Sequence, residues 1–137
     1  MKVLLSIKPE FAKAIFNGKK KFEYRKVLFK KEVKTIQVYV TKRSFFRKQV
    51  PRSFCSQTCG KIIGEFEIEE IIEGNPAEVW EKTKRHSGIK KSFYMQYFQD
   101  KQVAYAIKIK NINKYKEPLC PYKEYENFTA PQSFRYI

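Results

Sequence analysis

Residues 4–26 read LLSIKPEFAKAIFNGKKKFEYRK, and three elements follow from them in order. Val3 to Ile7 is a short apolar run closed by Pro9, the pattern of a buried strand. Pro9 opens a helix at its first turn, where a missing N–H costs nothing. Phe11, Ala12, Ile15 and Phe16 form one apolar stripe at helical spacing, and Asn17-Gly18 stops it. Lys20 to Lys26 then alternates as a strand. Phe22 and Tyr24 are expected on the core face, with Lys21, Glu23 and Arg25 on the opposite one.

Outward from that stretch, Ile36, Val38 and Val40 alternate with Gln37, Tyr39 and Thr41 in a third strand. Residues 42–60 (KRSFFRKQVPRSFCSQTCG) are read as a long basic loop, of a length that is usually functional or disordered. Ile62, Gly64, Phe66 and Ile68 alternate with Glu65, Glu67 and Glu69, a strand with one wet, acidic face. Asn75-Pro-Ala-Glu78 carries an N-cap, a first-turn proline and a glutamate three residues after the cap, so a helix starts there. His86-Ser-Gly88 breaks it, and Ser92 to Gln99 forms a second short helix. Its aromatics Phe93, Tyr94, Tyr97 and Phe98 are read as core. Val103 to Ile109 is the last long strand. Residues 117–137 are read as an irregular tail packed on the barrel, with a short strand at Phe134–Tyr136. This order predicts an α+β class, a small mixed β-barrel of five to six strands with two to three short helices, in one domain over residues 1–137.

The chain of 137 residues holds 29 Lys and Arg against 14 Asp and Glu, a net charge of +15. The charge is uneven: +13 over residues 1–60, −6 over 61–81, and +8 over 82–137. Such a field suits a polyanion, and the first sixty residues are expected to face it. At 42% hydrophobic and 16% aromatic residues, the chain is not of disordered composition. No apolar run reaches a membrane span, and Lys8, Pro9 and Glu10 cut the N-terminal run short of a signal peptide. Three cysteines fit a reducing cytoplasm better than a disulfide scaffold. Cys55-x-x-x-Cys59 with Cys120 and His86 offers four metal ligands but no second close pair. The cysteines are therefore read as loop and core thiols, and no metal or cofactor is expected.

Chemistry concentrates at Gly18-Lys-Lys20-Lys-Phe-Glu23-Tyr-Arg25. A carboxylate and a guanidinium two residues apart on one strand face can read the donor and acceptor edge of a base, and Lys20 can hold phosphate. The alternative is a half-exposed ion pair on a barrel wall. In the basic loop, Arg43, Arg47, Lys48 and Arg52 are interleaved with Phe45, Phe46 and Phe54, a combination that either grips phosphate while stacking on bases or tucks the loop onto the barrel through its phenylalanines.

The same segment resembles the opening of ASCH domains, a branch of the PUA-like superfamily. Val38-Tyr-Val-Thr41, Lys61-Ile-Ile-Gly-Glu-Phe-Glu67, Ala104-Tyr-Ala-Ile-Lys108 and Ala130-Pro-Gln-Ser-Phe-Arg135 extend the resemblance over nearly the whole chain. It implies a PUA-like barrel with a cleft beside the first helix, used in relatives for RNA or for modified bases. Lys8, Lys20, Glu23 and Arg25 would line that cleft, joined by Thr41, Lys42, Gln132 and Ser133. The implied function is nucleic-acid binding, RNA rather than DNA, with recognition of a base or modified nucleoside. A hydrolase on N4-acetylcytidine or RNA, with Lys20 and Glu23 as catalytic candidates, is the alternative. For the amidohydrolase, Lys20 matches the family's lysine, but Glu23 stands where a threonine is needed, and no glutamate equivalent is found in residues 69–78. A protein-interaction or regulatory module is the third reading.

Overall fold

The computed structural model describes residues 1–42 and 52–137. The elements run β1 (Lys2–Ile7), α1 (Pro9–Phe16), β2 (Phe22–Arg25), β3 (Thr35–Val40), α2 (Arg52–Thr58), β4 (Ile62–Gly74), α3 (Pro76–Thr83), α4 (Lys91–Tyr97), β5 (Ala104–Leu119), α5 (Pro121–Glu124) and β6 (Phe134–Tyr136). A 3-10 turn at Lys84–His86 follows α3. The six strands form one sheet in the order β2-β5-β4-β3-β1-β6. Only the β1–β3 pair is parallel among the described pairings. The sheet curls into a half-barrel, the expected α+β class, with about five helices among the described residues where two to three were expected.

The curl gives the sheet an inside and two covered outside regions. Inside, Val3, Leu5 and Ile7 of β1 meet Ile36, Val38 and Val40 of β3, with Ala12 and Ile15 of α1. Outside, Phe22, Tyr24, Ala104 and Ala106 are covered by Val79 and Trp80 of α3 and by Tyr94 and Phe98. Further along, Leu4, Tyr39 and Ile62 are covered by Phe128 of the tail. Asn75 caps α3 as expected, its side chain accepting from the Glu78 N–H at 2.9 Å.

Three expectations change. First, the 42–60 segment is not all loop, because Arg52–Thr58 is the helix α2. It is too short to show periodicity. It is held instead by Thr58 donating to the Phe54 carbonyl at 2.6 Å, by Phe54 and Cys59 packing on the core, and by a Cys55–Cys59 disulfide. Second, that disulfide replaces the expected pair of thiols. It removes both sulfurs as thiolate ligands, and the cysteine count no longer argues for a reducing compartment. Third, the tail is less irregular than its prolines suggest. β5 continues to Leu119 because β4, which extends to Gly74, supplies a partner along most of its length, from Gly74 opposite Ala104 to Ile62 opposite Leu119.

The acidic strand is balanced by its neighbours. Glu69 pairs with Lys108 at 2.7 Å, and Glu65 accepts from the Tyr115 hydroxyl at 2.7 Å. No helix among the described residues is long and apolar enough to cross a membrane.

Where α1 crosses β4, Gly64 has no room for a side chain. An added Cβ would lie 2.6 Å from the Phe16 ring and 2.6 Å from the Asn113 carbonyl oxygen. Gly64→Ala is therefore expected to destabilise the protein by about 1–3 kcal/mol through overpacking, read as a lower denaturant midpoint at unchanged slope. A loss below about 0.5 kcal/mol would show that α1 is not seated on this strand.

Candidate functional site

The sheet does not close. β2 is one end strand and β6 the other, with β1 next to it. Between the two ends lies a cavity of about 190 Å³. Its walls come from the end of β1 (Ser6, Ile7 and Lys8), from Phe11 of α1, and from Lys20, Glu23, Tyr24 and Arg25 on and before β2. Thr41 after β3, Ile89, Phe93 and Tyr97 around α4, and Gln132 from the tail complete it.

Alternation along β2 decides what enters this space. Glu23 registers with Ile107 and Arg25 with Tyr105 on β5, and Ile107 belongs to the inside cluster. Glu23 and Arg25 thus face the inside of the curl, while Phe22 and Tyr24 lie under α3 and α4. The expected strand is present, but both of its faces are buried. Glu23 is 4% exposed, which overturns the half-exposed ion pair as its description.

Arg25 spans the opening. Its guanidinium donates to Glu23 Oε2 at 3.1 Å, to the Ser133 hydroxyl at 2.6 Å and to the Ser6 carbonyl at 3.4 Å. These contacts tie β2 to β1 and to the tail. The tail is fixed in turn by Ser6, whose hydroxyl donates to the Pro131 carbonyl at 2.7 Å and whose N–H donates to the Ser133 carbonyl at 2.9 Å.

Lys20 is 1% exposed and forms the floor. Its ammonium donates to the Ser87 carbonyl at 2.8 Å and lies 4.7 Å from the Tyr24 ring centre and 5.3 Å from that of Phe11. Burial pulls its pKa down to about 8, with the Glu23 carboxylate pulling the other way. The 87–89 turn is shaped around this side chain. Gly88 sits at φ +69°, and an added Cβ would come 2.5 Å from Lys20 Cβ. Tyr24 is pushed up to about 12, chiefly by burial, and its hydroxyl donates to Thr83 Oγ1 at 2.7 Å. Burial also raises Tyr97, against the pull of Arg25.

Lys8, Lys20, Glu23, Arg25, Thr41 and Gln132 are therefore brought to one cavity, and Ser133 supports it through Arg25. Lys42 is not in its wall; its ammonium lies 4.5 Å from the Tyr122 ring centre. Arg43, Arg47 and Lys48 lie outside the described residues. The sequence reading missed the aromatic wall. Phe93 and Tyr97 were assigned to the core with Tyr94 and Phe98, but a short amphipathic helix has two sides, and the first two residues face the cavity. No group of three or more His, Cys, Asp or Glu capable of holding a metal occurs among the described residues. The chemistry on offer is a cation able to exchange a proton near neutral pH, beside a fixed carboxylate–guanidinium pair.

The sequence model of the ASCH domain family matches residues 5–113. An ASCH domain-containing ribonuclease of Zymomonas mobilis subsp. mobilis is 26% identical over 141 residues, spanning 98% of this chain and 82% of that protein. Large ribosomal subunit protein uL22 of Ureaplasma parvum serovar 3 is 27% identical over 140 residues, 98% of this chain, but the chain spans only 39% of that protein's length. The crystal structure of ASCH from Zymomonas mobilis superposes with a TM-score of 0.79 at 24% identity, covering 99% of this chain and 87% of the other. That likeness shows a shared fold.

The buried Lys20 has a consequence for stability. Its folded pKa of about 8 lies below its unfolded value, so between about pH 8 and 10.5 the unfolded chain binds more protons. Stability contributed at this position therefore rises with pH through that window, and the cost of the buried charge is fully present below it. Compared with Lys20→Met, the native protein is expected to gain about 1–2 kcal/mol between pH 7.5 and 9.5 in parallel urea titrations. Parallel profiles for the two proteins would contradict a buried, titrating Lys20.

Proposed function

The chain belongs to the ASCH domain family, and from that premise we propose that it binds RNA and takes one unpaired base or modified nucleoside into the cavity between β2 and β1. One observation carries the reading. A buried cation, a carboxylate and a guanidinium (Lys20, Glu23 and Arg25) converge in a space of about 190 Å³ with Phe11, Phe93 and Tyr97 on its walls. This volume is below the range of pockets for drug-sized ligands and suits a single ring system. A base needs a flat apolar contact for its face and paired donors and acceptors for its edge. The aromatic side chains supply the first, and Glu23 as acceptor with Arg25 and Lys20 as donors supply the second. Thr41 and Gln132 add short polar groups at the rim, and Lys8 meets phosphate. The wider +15 field brings the polyanion in, with Lys42, Arg43, Arg47 and Lys48 of the basic segment contributing to capture. The ribonuclease name of the Zymomonas relative favours RNA over DNA.

A second reading keeps the same cavity and adds turnover. The depressed pKa of Lys20 beside Glu23 and the relative's name both favour RNA hydrolysis, with Lys20 and Glu23 exchanging protons with the reacting groups.

A fluorescein-labelled single-stranded RNA separates the two. Under the binding reading, affinity drops at least tenfold between 50 and 200 mM salt, and Glu23→Gln weakens it by about five- to a hundredfold with the RNA left intact. Affinity indifferent to salt, or a Glu23→Gln protein that binds like the native one, would remove the cavity from recognition. Accumulating fragments that vanish with Lys20→Ala would establish the hydrolase instead.

A further inference from the structure

The cavity does not end at its aromatic wall. Phe11, Ile89 and Phe93 line it on one side and on the other line a second, larger groove of about 750 Å³. That groove runs between α1 and the 84–92 turn, and its charged lining is Lys84, Arg85 and Lys90 against the single acid Glu10. Lys84 and Arg85 are shared in turn with a third depression, which adds Lys21, Lys82 and Lys108 against the single acid Glu81. Three adjoining hollows thus form one path, from the buried Lys20 out over the 84–90 turn. Outside the cavity it carries six basic side chains, of which Lys84 pairs with Glu81 and Lys108 with Glu69, each at 2.7 Å, so that with Glu10 the positive charge still exceeds the negative by three. Most of these cations belong to residues 82–108, not to the first sixty residues where the sequence concentrates its charge.

We propose that this path is the track of the RNA backbone: a single strand places one base in the cavity and lays its flanking phosphates along Lys84, Arg85 and Lys90 toward Lys21 and Lys108. The inference rests on the RNA-binding reading above and extends it to a defined surface. Charge complementarity and direct continuity with the cavity select the occupant. A base can enter the cavity only when unpaired, which a single strand offers at no cost of opening a duplex. Phe11 and Phe93, in edge contact with ring centres 5.4 Å apart, stand at the junction where the next base would stack. Arg85 and Lys90 are exposed, so their side chains can be exchanged without disturbing the core.

The test compares three proteins of the whole 137-residue chain: the native chain, Arg85→Ala/Lys90→Ala, and Lys114→Ala/Lys116→Ala. The last loses the same charge from exposed lysines of β5, away from the path. Each is titrated with a labelled single-stranded 12-mer RNA across a salt series. The track predicts that Arg85→Ala/Lys90→Ala loses on the order of tenfold in affinity at 0.1 M salt. The slope of log affinity against log salt should fall by about 1.4, at ~0.7 per phosphate contact on a single strand. The Lys114/Lys116 protein should stay within about twofold of native. Equal losses in both double variants would overturn the track as generalised attraction, and would leave the cavity reading standing if Glu23→Gln still weakens binding. Failure of the native chain to bind the 12-mer at all would overturn both together.

Discussion

Arg25 holds together the two ends of a sheet that stops short of closing. A short edge strand on each side leaves backbone groups facing a gap too wide for a ladder, and the planar guanidinium with its five donors bridges it. Its partners are of three kinds: a carboxylate on its own strand, a hydroxyl from the tail and a backbone carbonyl of β1. A lysine carries the same charge but lacks the fork needed to reach all three. The gap and its tie together create the site, since full closure would leave no cavity and an untied gap would leave no fixed walls.

Around that tie, the protein accepts a costly group. Lys20 is a full side chain under the surface with one backbone carbonyl, two ring faces and the field of the Glu23 carboxylate for company. Burying a cation is unfavourable unless it is paired, and pairing here is partial. The turn that supplies the carbonyl is itself shaped by Gly88, whose missing side chain leaves room for the lysine stem. Such an arrangement sets the lysine nitrogen at the wall of the cavity rather than on the outer surface.

Much of this was legible in advance, and the gaps have physical reasons. The β1–α1–β2 sequence carries its own punctuation in Pro9, the Phe11–Phe16 stripe and Gly18, so the order helix then strand is legible there, although the strand is confined to Phe22–Arg25 and Lys20 precedes it. Period-two alternation separates the faces of β2 but does not say which is inside. Phe22 and Tyr24 took the outer layer because α3 and α4 cover them, and the charged pair took the inner one. Side-to-side packing likewise divided α4, sending Tyr94 and Phe98 inward and Phe93 and Tyr97 to the cavity. The helix α2 depends on tertiary packing and a crosslink that seven residues of local sequence do not announce. The length of β5 comes from its partner, because Lys110 to Lys116 lack the alternation of Val103 to Ile109 and are strand only with β4 beside them.

The tie at Arg25 also sets an order of events. Its bond to Ser133 joins residues 108 positions apart, and the Ser6 hydroxyl reaches across 125 positions to Pro131. During synthesis, β1, α1 and β2 leave the ribosome long before the tail that completes their site. Contacts of such separation form late and slowly. The nascent chain therefore carries its basic segments without a finished cavity, whose walls are tied only once Pro131 and Ser133 have followed.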